Sequence, residues 1–113
     1  MSSQAAIETF FSAMNARDAD AAAAVVHPDV EITLGGHVLS GQASVRELAL
    51  QEDPQLVFEN VPVRVEAESD TRFVVAARRT SHWRESGELA AQDDYQVVFD
   101  LDATGVITRI EMS

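Results

Sequence analysis

From Leu56 to Met112 the chain alternates long β-rich runs with short polar turns, and this half limits what the whole can fold into. The runs are Leu56 to Ala67, Arg72 to Arg84, Glu88 to Leu101 and Val106 to Met112. Between them stand Ser69-Asp70-Thr71, Ser86-Gly87 and Asp102 to Gly105. Strand-like runs joined by short turns pair as hairpins, so three such connections in series predict an antiparallel meander. Proline cannot donate to a strand ladder, so Asn60-Val61-Pro62 predicts a bulge in the first long strand.

The N-terminal half reads as helical. Ile7, Phe10, Phe11 and Met14 recur at helical spacing and predict a helix from about Ser3 to Asn15. Asp18 or Asp20 can cap a second, alanine-rich helix that runs to Val26. It must stop near His27, because Pro28 disfavours helical geometry in the residue before it. Val30 to Leu34 and His37 to Leu39 read as two short strands around Gly35-Gly36. Ser40-Gly41 then opens a third helix, Gln42 to Gln51, with Val45 and Leu48 inward. The expected architecture is α+β: three N-terminal helices packed on a curved antiparallel sheet, a cone-like half-barrel enclosing an apolar pocket.

Composition narrows the partners. The 113 residues fit one domain, taken here as 1–113, and 46% of them are hydrophobic, enough for a core. A net charge of −11 without a basic cluster argues against nucleic acid and anionic membrane surfaces as partners. No apolar run approaches the roughly 20 residues of a membrane span, and no secretory signal is visible, so the cytoplasm is the expected location. Absence of cysteine removes disulfides, thiolate nucleophiles and Cys-ligated zinc, and absence of lysine removes Schiff-base chemistry. His27, His37 and His82 show no ligand spacing, so no metal and no cofactor are expected. His27 and His37 read as solvated, Glu31 as outward-facing, and Gly35-Gly36 as a turn, since no helix follows directly to make a phosphate loop.

Strand parity selects candidate site residues. A two-residue turn at Ser86-Gly87 would pair Glu85 with Glu88. One face would then carry Val74, Ala76, Arg78, Thr80 and His82 opposite Phe99, Val97, Tyr95, Asp93 and Ala91. The series Tyr95, Val97, Phe99 and Leu101 is apolar and marks the inner face. Its polar end would gather Arg78, His82, Asp93 and Tyr95, able to hold a polar ligand group or do acid–base work. The plainer reading is a solvated strand end with an Arg78–Asp93 ion pair. A one-residue slip would instead promote Arg79, Trp83 and Asp94. The opposite face would expose Phe73, Val75, Ala77, Trp83 and Val98, an apolar stripe that predicts a homodimer.

Several segments resemble the nuclear transport factor 2-like superfamily, in its SnoaL-like and ketosteroid isomerase-like branch. They are Ile7-Glu8-Thr9-Phe10-Phe11 leading to Asn15-Ala16-Arg17-Asp18, then His27-Pro28-Asp29-Val30-Glu31, Ser40-Gly41-Gln42 leading to Val45-Arg46-Glu47, and Gly105-Val106-Ile107-Thr108-Arg109-Ile110. The resemblance spans essentially the whole chain and implies the cone-like fold. It does not fix a chemistry, because one fold hosts isomerases, cyclases, dehydratases, hydrolases and binding proteins. Ketosteroid isomerases carry a Tyr, a general-base Asp and a protonated Asp where this chain has Phe10, Ile32 and Val97, so that activity does not carry over. The Asp–Arg–Asp set of limonene epoxide hydrolase-like members is incomplete here, with Arg78 and Asp93 as its nearest counterparts.

The reading is therefore a small-molecule protein acting on an apolar metabolite. Asp93, His82 and Tyr95 are the candidate catalytic groups, Arg78 the anchor, and Phe10, Met14, Ile32, Val97 and Phe99 the apolar lining. The rival is a non-catalytic ligand-binding or dimeric interaction module of the same fold.

Overall fold

A computed structural model describes residues 3–112. Among them the elements run α1 (Ser3–Ala16), α2 (Ala19–Ala24), β1 (Val26–Leu34), β2 (His37–Ser40), α3 (Gln42–Leu50), β3 (Leu56–Ala67), β4 (Arg72–Trp83), β5 (Leu89–Leu101) and β6 (Ile107–Met112). Helix α1 buries Ile7, Phe10, Phe11 and Ala13. It stops where Arg17 turns into the left-handed region at φ 58°. The Arg17 and Asp18 amides donate back to the carbonyls of Met14 and Ala13, closing a Schellman turn. Asp18 also accepts from the Ala21 amide at 3.1 Å and so starts α2. One aspartate thereby ends one helix and begins the next, which sets the angle between them.

The six strands form one sheet in the order β2-β1-β6-β5-β4-β3. The meander β3 to β6 is present, and β3 bulges between Pro62 and Arg64, next to the expected place. Two expectations need correction. Helix α2 ends at Ala24 and β1 already begins at Val26, because Val26 pairs with Ile107 of β6 across an irregularity that accommodates Pro28. The β1–β6 pairing is parallel, so the sheet is mixed, not wholly antiparallel. Hairpin logic sees only strands adjacent in sequence and misses the join between the first strand and the last.

A larger correction concerns β4. The Ser86-Gly87 turn is not a two-residue hairpin. The Trp83 amide donates to Glu88 and the Gly87 amide to Trp83, so residues 84–87 form the loop. A bulge then shifts the register between Ser81 and His82. Arg79 therefore stands opposite Asp93, and Ala77 opposite Tyr95. The displacement exchanges the faces of β4. Phe73, Val75, Ala77 and Ser81 point inward and are buried, while Arg78 and His82 lie on the outer face. The Arg78 Nε donates to Asp94 Oδ1 at 2.9 Å on that outer face. The outward stripe built on Phe73, Val75 and Ala77 does not exist, since all three belong to the core.

The core is one cluster between the helices and the inner face. Phe99, fully buried, meets Phe10 and Phe11 edge-on at centroid distances of 5.7 and 5.9 Å. Ile32 and Val97 are also fully buried.

Candidate functional site

An open cleft of about 830 Å³ lies between α1, α3 and the β3–β5 end of the sheet. Phe10, Phe11 and Met14 of α1, Leu48 of α3 and Met112 of β6 give it an apolar wall. The facing wall is more polar, with Asn60 of β3, Arg79 of β4, and Asp93 and Tyr95 of β5. Residues 51–54, between α3 and β3, form part of the rim.

Of the sequence candidates, the cleft brings together Asp93, Tyr95, Phe10 and Met14. Ile32, Val97 and Phe99 lie beneath in the packed core and do not line it. Arg78 and His82 stand on the other side of the sheet, and Arg79, not Arg78, lines the cleft opposite Asp93. Asn15, Asn60, Arg17 and Arg84 were not read as site residues. The sequence held a partial signal for the first two, a helix-ending Asn and an Asn beside a bulge, but nothing in it joined them.

Arg79 and Asp93 approach to 3.9 Å between Nη2 and Oδ2, a charge pair longer than a hydrogen bond. Their side chains are 49% and 59% exposed, so the pair contributes roughly 0–1 kcal/mol to stability. The guanidinium carbon also sits 5.4 Å from the centroid of the Phe58 ring, which holds the arginine over an aromatic face.

Tyr95 donates its hydroxyl to Asn60 Oδ1 at 2.8 Å. Asn60 is itself fixed by Asn15, whose Nδ2 donates to the Asn60 carbonyl at 2.7 Å and whose Oδ1 accepts from the Asn60 amide at 2.8 Å. The C-terminal end of α1 thus pins the backbone of β3 at Asn60, the residue whose side chain accepts from the phenol. Two arginines hold the rim. Arg17 donates to the Leu50 carbonyl at 2.7 Å and pairs with Glu52 at 3.2 Å. Arg84 donates to the carbonyls of Asp53 and Leu56 at 2.9 and 3.2 Å.

Burial raises the Tyr95 pKa above the ordinary phenol value, and the positive charge of Arg79 partly offsets the rise. The phenol is therefore a neutral donor throughout the physiological range. It is the chain's one tyrosine, so absorbance at alkaline pH reads it alone. Removing Arg79 takes away a charge that favours phenolate. The Arg79→Ala titration should move to higher pH than wild type, and a move to lower pH would place the arginine away from the ring.

Among the described residues no group of three or more His, Cys, Asp or Glu side chains is placed to hold a metal ion. No helix among them is long and apolar enough to cross a membrane.

Helices packed on one face of a curved mixed sheet, with a cleft opening between them, define an α+β protein of the nuclear transport factor 2-like class. The chain belongs to the SnoaL-like domain family, whose model matches residues 7–110. No curated protein matches it. Solved structures share the fold at low sequence identity. A candidate polyketide cyclase from Xanthomonas campestris pv. campestris is 19% identical, with a TM-score of 0.81 over 97% of this chain and 87% of that one. A Mycobacterium tuberculosis protein in complex with estradiol-17β-hemisuccinate is 14% identical, with a TM-score of 0.79 over 99% and 93%. A Δ5-3-ketosteroid isomerase from Mycobacterium sp. is 14% identical, with a TM-score of 0.78 over 100% and 93%.

Proposed function

We propose that the cleft binds a small metabolite with an apolar, cyclic body, held by its polar end against Arg79, Asp93 and Tyr95. The observation that carries this reading is the convergence of these three side chains on one wall of a cleft whose other wall is apolar. Binding sites for small molecules commonly combine an apolar lining with a few placed polar groups, in volumes of about 300–1,000 Å³. A relative crystallised with an estradiol derivative supports a ligand of that general shape. Asp93 and Tyr95 are the groups we assign to any acid–base step, without a cofactor. Ile32 offers nothing to abstract a proton, so double-bond isomerisation is outside the proposal. Residues 1–113 acting as one domain and a cytoplasmic location belong to the same reading and rest on the sequence.

A thermal-shift screen of cyclic apolar compounds, followed by titration of two variants, tests it. Arg79→Ala should weaken binding by about 1–3 kcal/mol, the range for losing a charge-assisted hydrogen bond. Arg78→Ala, on the outer face, should leave affinity unchanged. Equal affinities for wild type and Arg79→Ala would remove the anchor.

A second reading is a homodimer through the outer face of the sheet. Its support is a different set of residues from the one the sequence suggested: Val61 and Leu89 are 43% and 57% exposed. Leu89 pairs with His82, and Val61 with Arg78. A patch of this kind suits a second copy. Light scattering at micromolar concentration should give twice the chain mass, and a monomer mass would dismiss it.

A further inference from the structure

The charges of the cleft restrict the chemistry of what it holds. Among the described residues three arginines (Arg17, Arg79, Arg84) and three carboxylates (Glu52, Asp53, Asp93) line it, so their formal charges balance within a chain of net charge −11. Four of the six are committed to the rim. Arg17 pairs with Glu52, Arg84 donates to backbone carbonyls, and Asp53 Oδ1 accepts from the Gln55 and Leu56 amides. Only Arg79 and Asp93 are left facing the cleft without a hydrogen bond between them, 3.9 Å apart.

That gap suits a single bridging oxygen, which would lie about 2.7–2.9 Å from each partner. The oxygen must accept from the guanidinium and donate to the carboxylate. A hydroxyl does both through one atom. A ketone or ether satisfies Arg79 and leaves Asp93 unmatched. A carboxylate meets Arg79 and is repelled by Asp93, and an ammonium group meets the reverse. Resting on the binding reading above, we infer that the ligand is a neutral molecule whose polar group is a hydroxyl, seated between Arg79 and Asp93. A site built to hydrogen-bond a hydroxyl discriminates strongly against analogues lacking it, because its own polar groups are then left unpaired.

Four probes with the same apolar cage separate the cases: 1-adamantanol, 1-methoxyadamantane, adamantane-1-carboxylate and 1-adamantanamine, titrated calorimetrically at neutral pH. The alcohol should bind at least tenfold more tightly than each of the others. Asp93→Ala, a change at an exposed side chain, should bring alcohol and methyl ether to within about threefold of each other. Tightest binding by the carboxylate or the ammonium, or equal binding by alcohol and ether in the wild type, overturns the inference. Met14→Trp, checked for folding by circular dichroism, distinguishes that outcome from failure of the binding reading. The larger side chain narrows the cleft from the α1 side and should weaken binding of every probe. Probes that all bind alike yet are weakened in Met14→Trp leave the cleft as the site and remove the hydroxyl rule. Binding of every probe unchanged in Met14→Trp removes the cleft itself, and silence of all four probes in the wild type overturns both.

Discussion

Truncating Phe99 to alanine should cost about 3–5 kcal/mol of folding free energy, the range for large aromatic-to-alanine changes in a packed core. Phe99 is fully buried and joins α1 to the sheet through both Phe10 and Phe11. Removing the ring takes away its transfer energy and leaves a hole that β5, paired on both sides, cannot collapse to fill. A domain of this size has only about 5–15 kcal/mol in total, so the variant should populate the unfolded state measurably. Urea unfolding followed by circular dichroism gives the number. A loss under 1 kcal/mol would mean that the α1–sheet contact is not the centre of the core.

Placing a carboxyl group at Ile32 should be comparably damaging, with a pH dependence of defined sign. Ile32 is fully buried and pairs with Leu39 and Ile110 in the middle of β1. An uncompensated buried charge costs about 3–5 kcal/mol. Burial raises the carboxyl's folded pKa above its unfolded value of about 3.9. The folded state then holds its proton longer than the unfolded state, so stability falls as pH rises from about 4 toward the raised folded value. The stability difference between Ile32→Asp and wild type should be smaller at pH 4 than at pH 8. Wild-type stability at pH 8 would show that this face of β1 reaches water and that a general base could have stood there.

Element order was legible because it depends on local chemistry. Helix stripes, caps, Pro28 and the polar turns act within a few residues, and each strand was located to within a few positions apart from the early start of β1. The site was half legible. Tyr95, Val97 and Phe99 alternate so regularly that the inner face of β5 could be identified, which placed Asp93 and Tyr95 together. Arg79 stood only as the alternative to Arg78 because the faces of β4 depend on loop length and on a bulge. Both are settled by how Trp83, Gly87 and Glu88 exchange hydrogen bonds, and an Arg-Arg pair offers no hydrophobic contrast to arbitrate. Asn15 and Asn60 were beyond local reasoning, since their contact joins residues 45 apart in sequence.

That contact has a consequence beyond the cleft. Strand β3, 12 residues long, is the last in the sheet, and no strand among the described residues pairs with its far side. Such a border invites a neighbouring molecule to add its own strand, the route to edge-to-edge aggregation. At Asn60 the side chain of Asn15 already occupies the backbone amide and carbonyl that an incoming strand would need. Two positions further on, Pro62 has no amide to offer, and the chain bulges directly after it. The opposite border, β2, is only four residues long. A ladder of these molecules would be interrupted at both ends, so Asn15, which pins the backbone of the phenol's partner Asn60, also hinders a strand from adding at that border.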